Sequence, residues 1–107
     1  MDPNFNRTSQ QITTILDAVR ERRLSRDFHD ASIDALQAAG FDPVREFLIR
    51  LDRRRGFIDI VLDGWYALEL DHVTPRVKSI RKVRTFGCGM VYCRRARPGD
   101  APYLIWL

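Results

Sequence analysis

Cysteine is nearly missing: Cys88 and Cys93 are the only two in 107 residues. Two thiols make no disulfide framework and a poor zinc site, so both are expected to be reduced. No run reaches the roughly 18 uninterrupted apolar residues needed to cross a bilayer. The most apolar stretch, Phe57 to Leu70, is broken by Asp59, Asp63 and Glu69. The polar start MDPNFNRTSQQ lacks a basic segment followed by an apolar run, which predicts no secretory signal and a cytoplasmic location. Internal repeats and low-complexity tracts are absent. Lysine is scarce as well: sixteen basic side chains are Arg, and the only two Lys, Lys78 and Lys82, stand four residues apart. Together these absences exclude a membrane span, a disulfide scaffold and a disordered tail. The length excludes a multidomain enzyme, and an apolar fraction of 45% suits one hydrophobic core, hence a single domain over 1–107.

The net charge of +4 is divided along the chain. Residues 1–71 hold ten Arg and thirteen acids, whereas residues 72–107 hold six Arg, two Lys and the single acid Asp100. So basic a second half points to a polyanionic partner, nucleic acid first, with DNA expected. Between Gly56 and Asp71 lie four acids, Asp59, Asp63, Glu69 and Asp71, and no base, directly after Arg53-Arg54-Arg55. An acidic interval inside a basic chain is what a cation site facing phosphate requires: carboxylates for a divalent metal, cations for the backbone.

Hydrophobic periodicity orders the elements. Thr8 or Ser9 caps a first helix reaching about Leu24, with Ile12, Ile15, Leu16 and Val19 on one face. Asp30 or Ser32 caps a second, ended by Gly40. Asp42-Pro43 reads as the start of a third helix, with Val44, Phe47, Leu48 and Leu51 as its buried stripe. The period then falls to 2: FIDIVL and WYALELD are strands joined at Asp63-Gly64. Thr74-Pro75 opens another helix, and GMVYCRR and APYLIWL are final strands around the turn RPGDAP. The sum is α-α-α-β-β-α-β-β, a mixed α/β (α+β) domain with helices at 1–41 ahead of a core at 42–107. The apolar end, Tyr103 to Leu107, is expected in the sheet or in a homodimer interface.

The hairpin register can be tested on paper. A two-residue loop at Asp63-Gly64 mixes carboxylates and apolar side chains on both faces. A three-residue loop, Leu62-Asp63-Gly64, pairs Val61 with Trp65 and puts Ile58, Ile60, Tyr66, Leu68 and Leu70 on one clean apolar face. The same register brings Asp59, Glu69 and Asp71 to the other face.

Asp59 and then Glu69-Leu70-Asp71 across a hairpin, followed by a basic helix, resembles the PD-(D/E)xK nuclease superfamily, the restriction-endonuclease-like fold. The stretch ELDHVTPRVKSIRKVR is also similar to small bacterial and phage proteins with a TPRxKS-type helix start. The resemblance spans about residues 43–95 and implies a central mixed sheet flanked by helices. It implies a nuclease, hydrolysing phosphodiesters with Mg²⁺ or Mn²⁺ held by Asp59, Glu69 and the Leu70 main-chain carbonyl. Two departures stand out. Asp71 occupies the usual Lys position, so it is a further ligand, or the lysine function has moved to Lys78, or the site is dead. Two strands rather than three precede the basic helix. Glu46 is a candidate outer-shell acid, and Arg76, Arg81, Lys82 and Arg84 are candidate phosphate contacts.

A rival comes from another class. Helices at 31–39 and 43–55 followed by GFIDIVLDGWYALEL resemble a winged-helix DNA-binding regulator, with Arg45, Arg50 and Arg53 meeting DNA. Against it, the wing would aim four acids at phosphates. A third reading is a catalytically inactive nuclease fold kept as a binding or interaction module.

Overall fold

The computed structural model describes residues 3–22, 24–97 and 99–107; Met1, Asp2, Arg23 and Pro98, the last within the expected RPGDAP turn, lie outside them. Helices α1 (Pro3–Val19) and α2 (Ser25–Ala38) come first, then strands β1 (Pro43–Leu51), β2 (Arg54–Leu62) and β3 (Tyr66–Asp71). Helix α3 (Val77–Phe86), β4 (Cys88–Cys93) and β5 (Tyr103–Trp106) complete the chain. The five strands form one sheet in sequence order, antiparallel except for the parallel β3–β4 pair that α3 connects. The expected α+β class stands, with helices on both faces of a mixed sheet.

Two cores explain the layering. On one face, Phe5, Ile12 and Leu16 of α1 and Phe28 and Leu36 of α2 bury Ile60, Leu62, Tyr66, Leu68 and Met90. On the other, Val83 of α3 closes over Ile58, Val61, Ala67, Val91 and Ile105. A buried hydrogen bond of 2.7 Å between Ser9 and the Tyr66 hydroxyl registers α1 on the sheet. At Gly89 the backbone of β4 runs so close to β3 that a Cβ would fall 1.8 Å from the Ala67 carbonyl oxygen, so only glycine fits.

The third element corrects the expectation: residues 43–51 are an edge strand, not a helix. Val44, Phe47, Leu48 and Leu51 satisfy a helical period, but Phe47, Ile49 and Leu51 also satisfy a period of 2. Phe47 packs edge-on against Phe86 of α3, with ring centroids 5.8 Å apart, while Val44 and Leu48 stay about half exposed. Pro43 suits the first residue of an edge strand, where its missing N–H does no harm. As a strand, β1 covers the edge that β2 would otherwise present. The winged-helix reading loses its recognition helix with this element.

The hairpin between β2 and β3 has three loop residues, as expected, but they are Asp63-Gly64-Trp65: Leu62 pairs with Tyr66 rather than Val61 with Trp65. Asp63 (φ +53°) and Gly64 (φ +74°) adopt the left-handed conformation, and the Trp65 N–H donates to the Leu62 carbonyl at 3.1 Å. The shift of one residue on each strand preserves the alternation, so Ile60, Tyr66, Leu68 and Leu70 share the apolar face as predicted. Ile58 does not: it belongs to the core on the α3 side. On β5 only Ile105 is buried, and Tyr103, Leu104 and Trp106 are each about 40% exposed on the edge strand. No helix among the described residues is long and apolar enough to cross a membrane.

Candidate functional site

The site begins where β2 and β3 part. Their ladder ends at Ile60 opposite Leu68. The next level would pair Asp59 with Glu69, and there side chains take over from the backbone. The Asp59 N–H donates to Glu69 Oε2 at 2.7 Å, and the Leu70 N–H donates to Asp59 Oδ2 at 2.8 Å. On the other side of β2, pairing with β1 skips the same level, passing from Arg45–Ile60 to Phe47–Ile58. Glu46, opposite Asp59 at this unpaired level, has φ +50°, uncommon for a side chain of its size. Both strands turn over here, which is why Ile58 and Ile60 reach opposite cores. Glu46 therefore stands exposed on β1 opposite Asp59, not on a helix.

The turnover changes how the acids meet. Asp59 borders a cavity of about 300 Å³ under Phe28 and His29 of α2, whereas Glu69 is fully buried and meets α3. They do not lie side by side on one sheet face; they exchange hydrogen bonds through the gap between the strands. Lys82 Nζ lies 3.2 Å from Glu69 Oε1, with the lysine side chain 11% exposed. That ion pair is the contact Oε1 makes, while Oε2 accepts the Asp59 N–H. Burial, and then the charge of Asp59, push the Glu69 carboxyl up to about 7, against the opposing pull of the Asp59 N–H and Lys82.

Asp71 does something else. Its Oδ2 accepts the Arg76 N–H at 2.8 Å, and its Oδ1 accepts Arg76 Nε at 3.1 Å and the Ser79 hydroxyl at 2.9 Å. Arg76 immediately precedes α3, so a buried carboxylate pins the start of that helix to the end of β3. Both of its oxygens are engaged by donors of the α3 start, which gives Asp71 an anchoring role there. Lys78 is exposed on α3 and forms no ion pair among the described residues; the lysine that reaches Glu69 is Lys82, one turn later. Arg81 and Arg84 are exposed, Arg84 donating to the Tyr103 hydroxyl at 3.3 Å.

The cavity also takes in Leu70, His72, Arg76 and Arg94. It lies at the carboxyl ends of the parallel pair β3–β4, the usual place for ligands on such sheets. Arg94 follows β4 directly, is 7% exposed, donates to the Arg22 carbonyl at 3.1 Å and lies over the Phe28 ring. Sequence reading missed Arg94 and His29; position after a strand parallel to β3 was the signal for Arg94, and His29 offered none.

A magnesium-sized cation fits part of this arrangement. Mg²⁺ takes one or two carboxylates and keeps its remaining ligands as water and substrate oxygens. Asp59 borders the cavity, Glu69 presents a buried carboxylate whose Oε1 meets the Lys82 ammonium, and the Leu70 N–H points into the β2 gap. In a strand the carbonyl of a residue points the same way as its N–H, and the Asp71 carbonyl duly turns to β4, accepting the Arg94 N–H at 3.1 Å. Among the described residues no three carboxylate, imidazole or thiol groups converge as a metal centre, so a cation would rest on these two acids, one carbonyl and water. No known family, curated protein or solved structure matches the chain.

Proposed function

We propose that this chain is a metal-dependent nuclease of restriction-endonuclease-like architecture, cutting phosphodiester bonds, with DNA as the expected substrate. The observation that carries the reading is the Asp59–Glu69 exchange across the β2–β3 gap with Lys82 against Glu69. The corrected β1 supports it, since three antiparallel strands now precede the crossover helix and its parallel strand, the number the resembled core has.

Asp59, Glu69 and the Leu70 carbonyl would hold Mg²⁺ or Mn²⁺, which when bound lowers the pKa of its water and offsets charge on the phosphate. The chain's own residues do the rest. Lys82 keeps an ammonium at the acidic corner, where it balances the second carboxylate and opposes negative charge developing beside it. Arg76 and Arg94 put two guanidiniums on the cavity wall, where a phosphate oxygen can accept their N–H groups. Asp71, by anchoring Arg76 and Ser79, fixes both the cavity wall and the helix that delivers Lys82.

The test is cleavage of plasmid and single-stranded DNA with Mg²⁺ or Mn²⁺, comparing wild type with Asp59→Asn, Glu69→Gln and Lys82→Met. Activity in wild type that falls at least about 100-fold in each variant supports the assignment. Equal activity in all four proteins overturns it, and DNA binding without cleavage in any of them selects the inactive binding module instead.

A further inference from the structure

The basic residues of α3 do not exhaust the positive surface. Strands β1 and β2 are joined by the two-residue turn Asp52-Arg53, with Leu51 opposite Arg54. Arg50 and Arg55 are direct cross-strand partners, and Arg50, Arg53, Arg54 and Arg55 are all exposed. Among the described residues none of the four forms an ion pair, although Arg45 lower on the same strand is held by Asp30 at 2.8 Å. Like charges placed directly opposite each other destabilise a hairpin. The fold thus concentrates four guanidiniums at one tip at a cost to its own stability and with no internal counter-charge beyond Asp52.

The tip is also aligned with the acidic corner. Arg55 and Phe57, two apart on β2, project to one side, and the next step of two reaches Asp59, where the strand turns over. Arg50 and Leu48 match them across on β1, with Leu48 and Phe57 as paired, half-exposed apolar neighbours. Arg55 and Asp59 are four steps apart along the strand, or about 13 Å at the usual rise. Along a duplex that distance is about four base-pair steps of 3.4 Å.

We infer that the β1–β2 hairpin tip is a backbone clamp for duplex nucleic acid, gripping phosphates about four base pairs to one side of the bond at Asp59. Guanidiniums suit this role because each presents several N–H donors to a phosphate and keeps its charge at any working pH. The clamp rests on the nucleic-acid reading above but is separable from it, because it acts on binding and not on chemistry.

The experiment measures binding of a fluorescein-labelled DNA duplex in EDTA, so that no cleavage intervenes. A variant with Arg50, Arg53, Arg54 and Arg55 all changed to Gln is compared with wild type. A charge-matched control changes Arg7, Arg22, Arg26 and Arg97 to Gln, four exposed arginines away from the tip. The clamp predicts at least a tenfold loss of affinity for the tip variant. It also predicts a shallower salt dependence, each lost phosphate contact lowering the slope of log K against log salt by about 0.9. The control should stay within about threefold of wild type. Equal losses in both variants, or no loss in the tip variant, overturn the clamp while leaving the nuclease assignment to its own cleavage test. If wild type binds no duplex but holds anionic phosphatidylserine vesicles through the same arginines, the clamp is overturned in favour of a lipid surface. Circular dichroism and thermal melting of each variant establish that losses are not unfolding.

Discussion

Asp59 and Glu69 hold each other's strands: Glu69 accepts the Asp59 N–H, and Asp59 accepts the N–H of Leu70, the residue after Glu69. The two acids therefore have a structural duty as well as the proposed chemical one, and substitutions can separate them. Alanine at either position leaves a part-buried N–H without its acceptor and should cost about 1–3 kcal/mol in urea unfolding. Asp59→Asn keeps an amide oxygen for Leu70 and should cost less than about 1 kcal/mol. Cleavage should nevertheless fall steeply in Asp59→Asn, because a neutral amide is a poor ligand for a hard cation. A stable, folded and inactive Asp59→Asn is the expected pattern; full activity in that variant would remove Asp59 from the chemistry.

The raised Glu69 carboxyl makes a pH prediction with a definite sign. Its value is about 7 in the folded chain, against an ordinary 4.5. Between those limits the folded state keeps a proton that the unfolded state has released. Folding is therefore favoured at the acid end of the window and weakens as pH rises through 7. The full penalty is present once the pH is well above the folded value. Unfolding of wild type and Glu69→Gln at pH 5 and pH 8 in EDTA isolates it, since the amide cannot titrate. The wild-type disadvantage should grow with pH. Mg²⁺ should then raise the melting temperature of wild type more at pH 8 than at pH 5, because at pH 5 it competes with a proton on Glu69. A magnesium effect independent of pH would exclude Glu69 as a ligand.

The hairpin around Asp63-Gly64 and the grouping of Ile60, Tyr66, Leu68 and Leu70 were legible because turn chemistry and alternation agree there. Residues 43–51 were not, because PVREFLIRL satisfies two periods at once, and β2's need for an edge partner decides between them. That need is a tertiary fact, invisible to local pattern. The acids were legible as a pair but not in their manner of meeting. Strict alternation puts Asp59 and Glu69 on one face, whereas the turnover at Glu46 and Asp59 sends them to meet through the gap. Arg94 was hidden for a similar reason: only the parallel pairing of β3 with β4 brings it to the cavity that Asp59 borders.

Lys78 and Lys82 could not be told apart by spacing alone, since both follow the acidic hairpin on one helix stripe. Geometry separates them. Lys82 pairs with Glu69 and is nearly buried, while Lys78 is exposed. Lys82→Arg should impair cleavage at least tenfold despite preserving charge, because a planar guanidinium cannot take the place of a compact ammonium in that space. Lys82→Met should also raise the Glu69 carboxyl further, as it removes a charge that now pulls it down. Lys78→Arg and Lys78→Ala should retain activity within about twofold. The reverse ranking would return the lysine role to Lys78.

Asp71 supplies the last separation. Its carboxylate is buried and holds both Arg76 and Ser79, so Asp71→Ala leaves several donors unsatisfied and frees the start of α3. A loss of about 1–3 kcal/mol is expected, the cost of leaving buried donors without their acceptor, since the Arg76 guanidinium itself is largely exposed to water. Activity should fall with it, because α3 carries Lys82. Asp71→Asn keeps an oxygen for the Arg76 N–H and should recover part of the stability. If Asp71 only anchors the helix, Mn²⁺ affinity of folded Asp71→Asn, followed by electron paramagnetic resonance, should match wild type within about threefold. Asp59→Asn measured alongside should lose at least tenfold, since its carboxylate is a proposed ligand. A loss in Asp71→Asn as large as in Asp59→Asn would restore Asp71 to the metal, and the hydrogen bonds to Arg76 and Ser79 would then have to break when the cation binds.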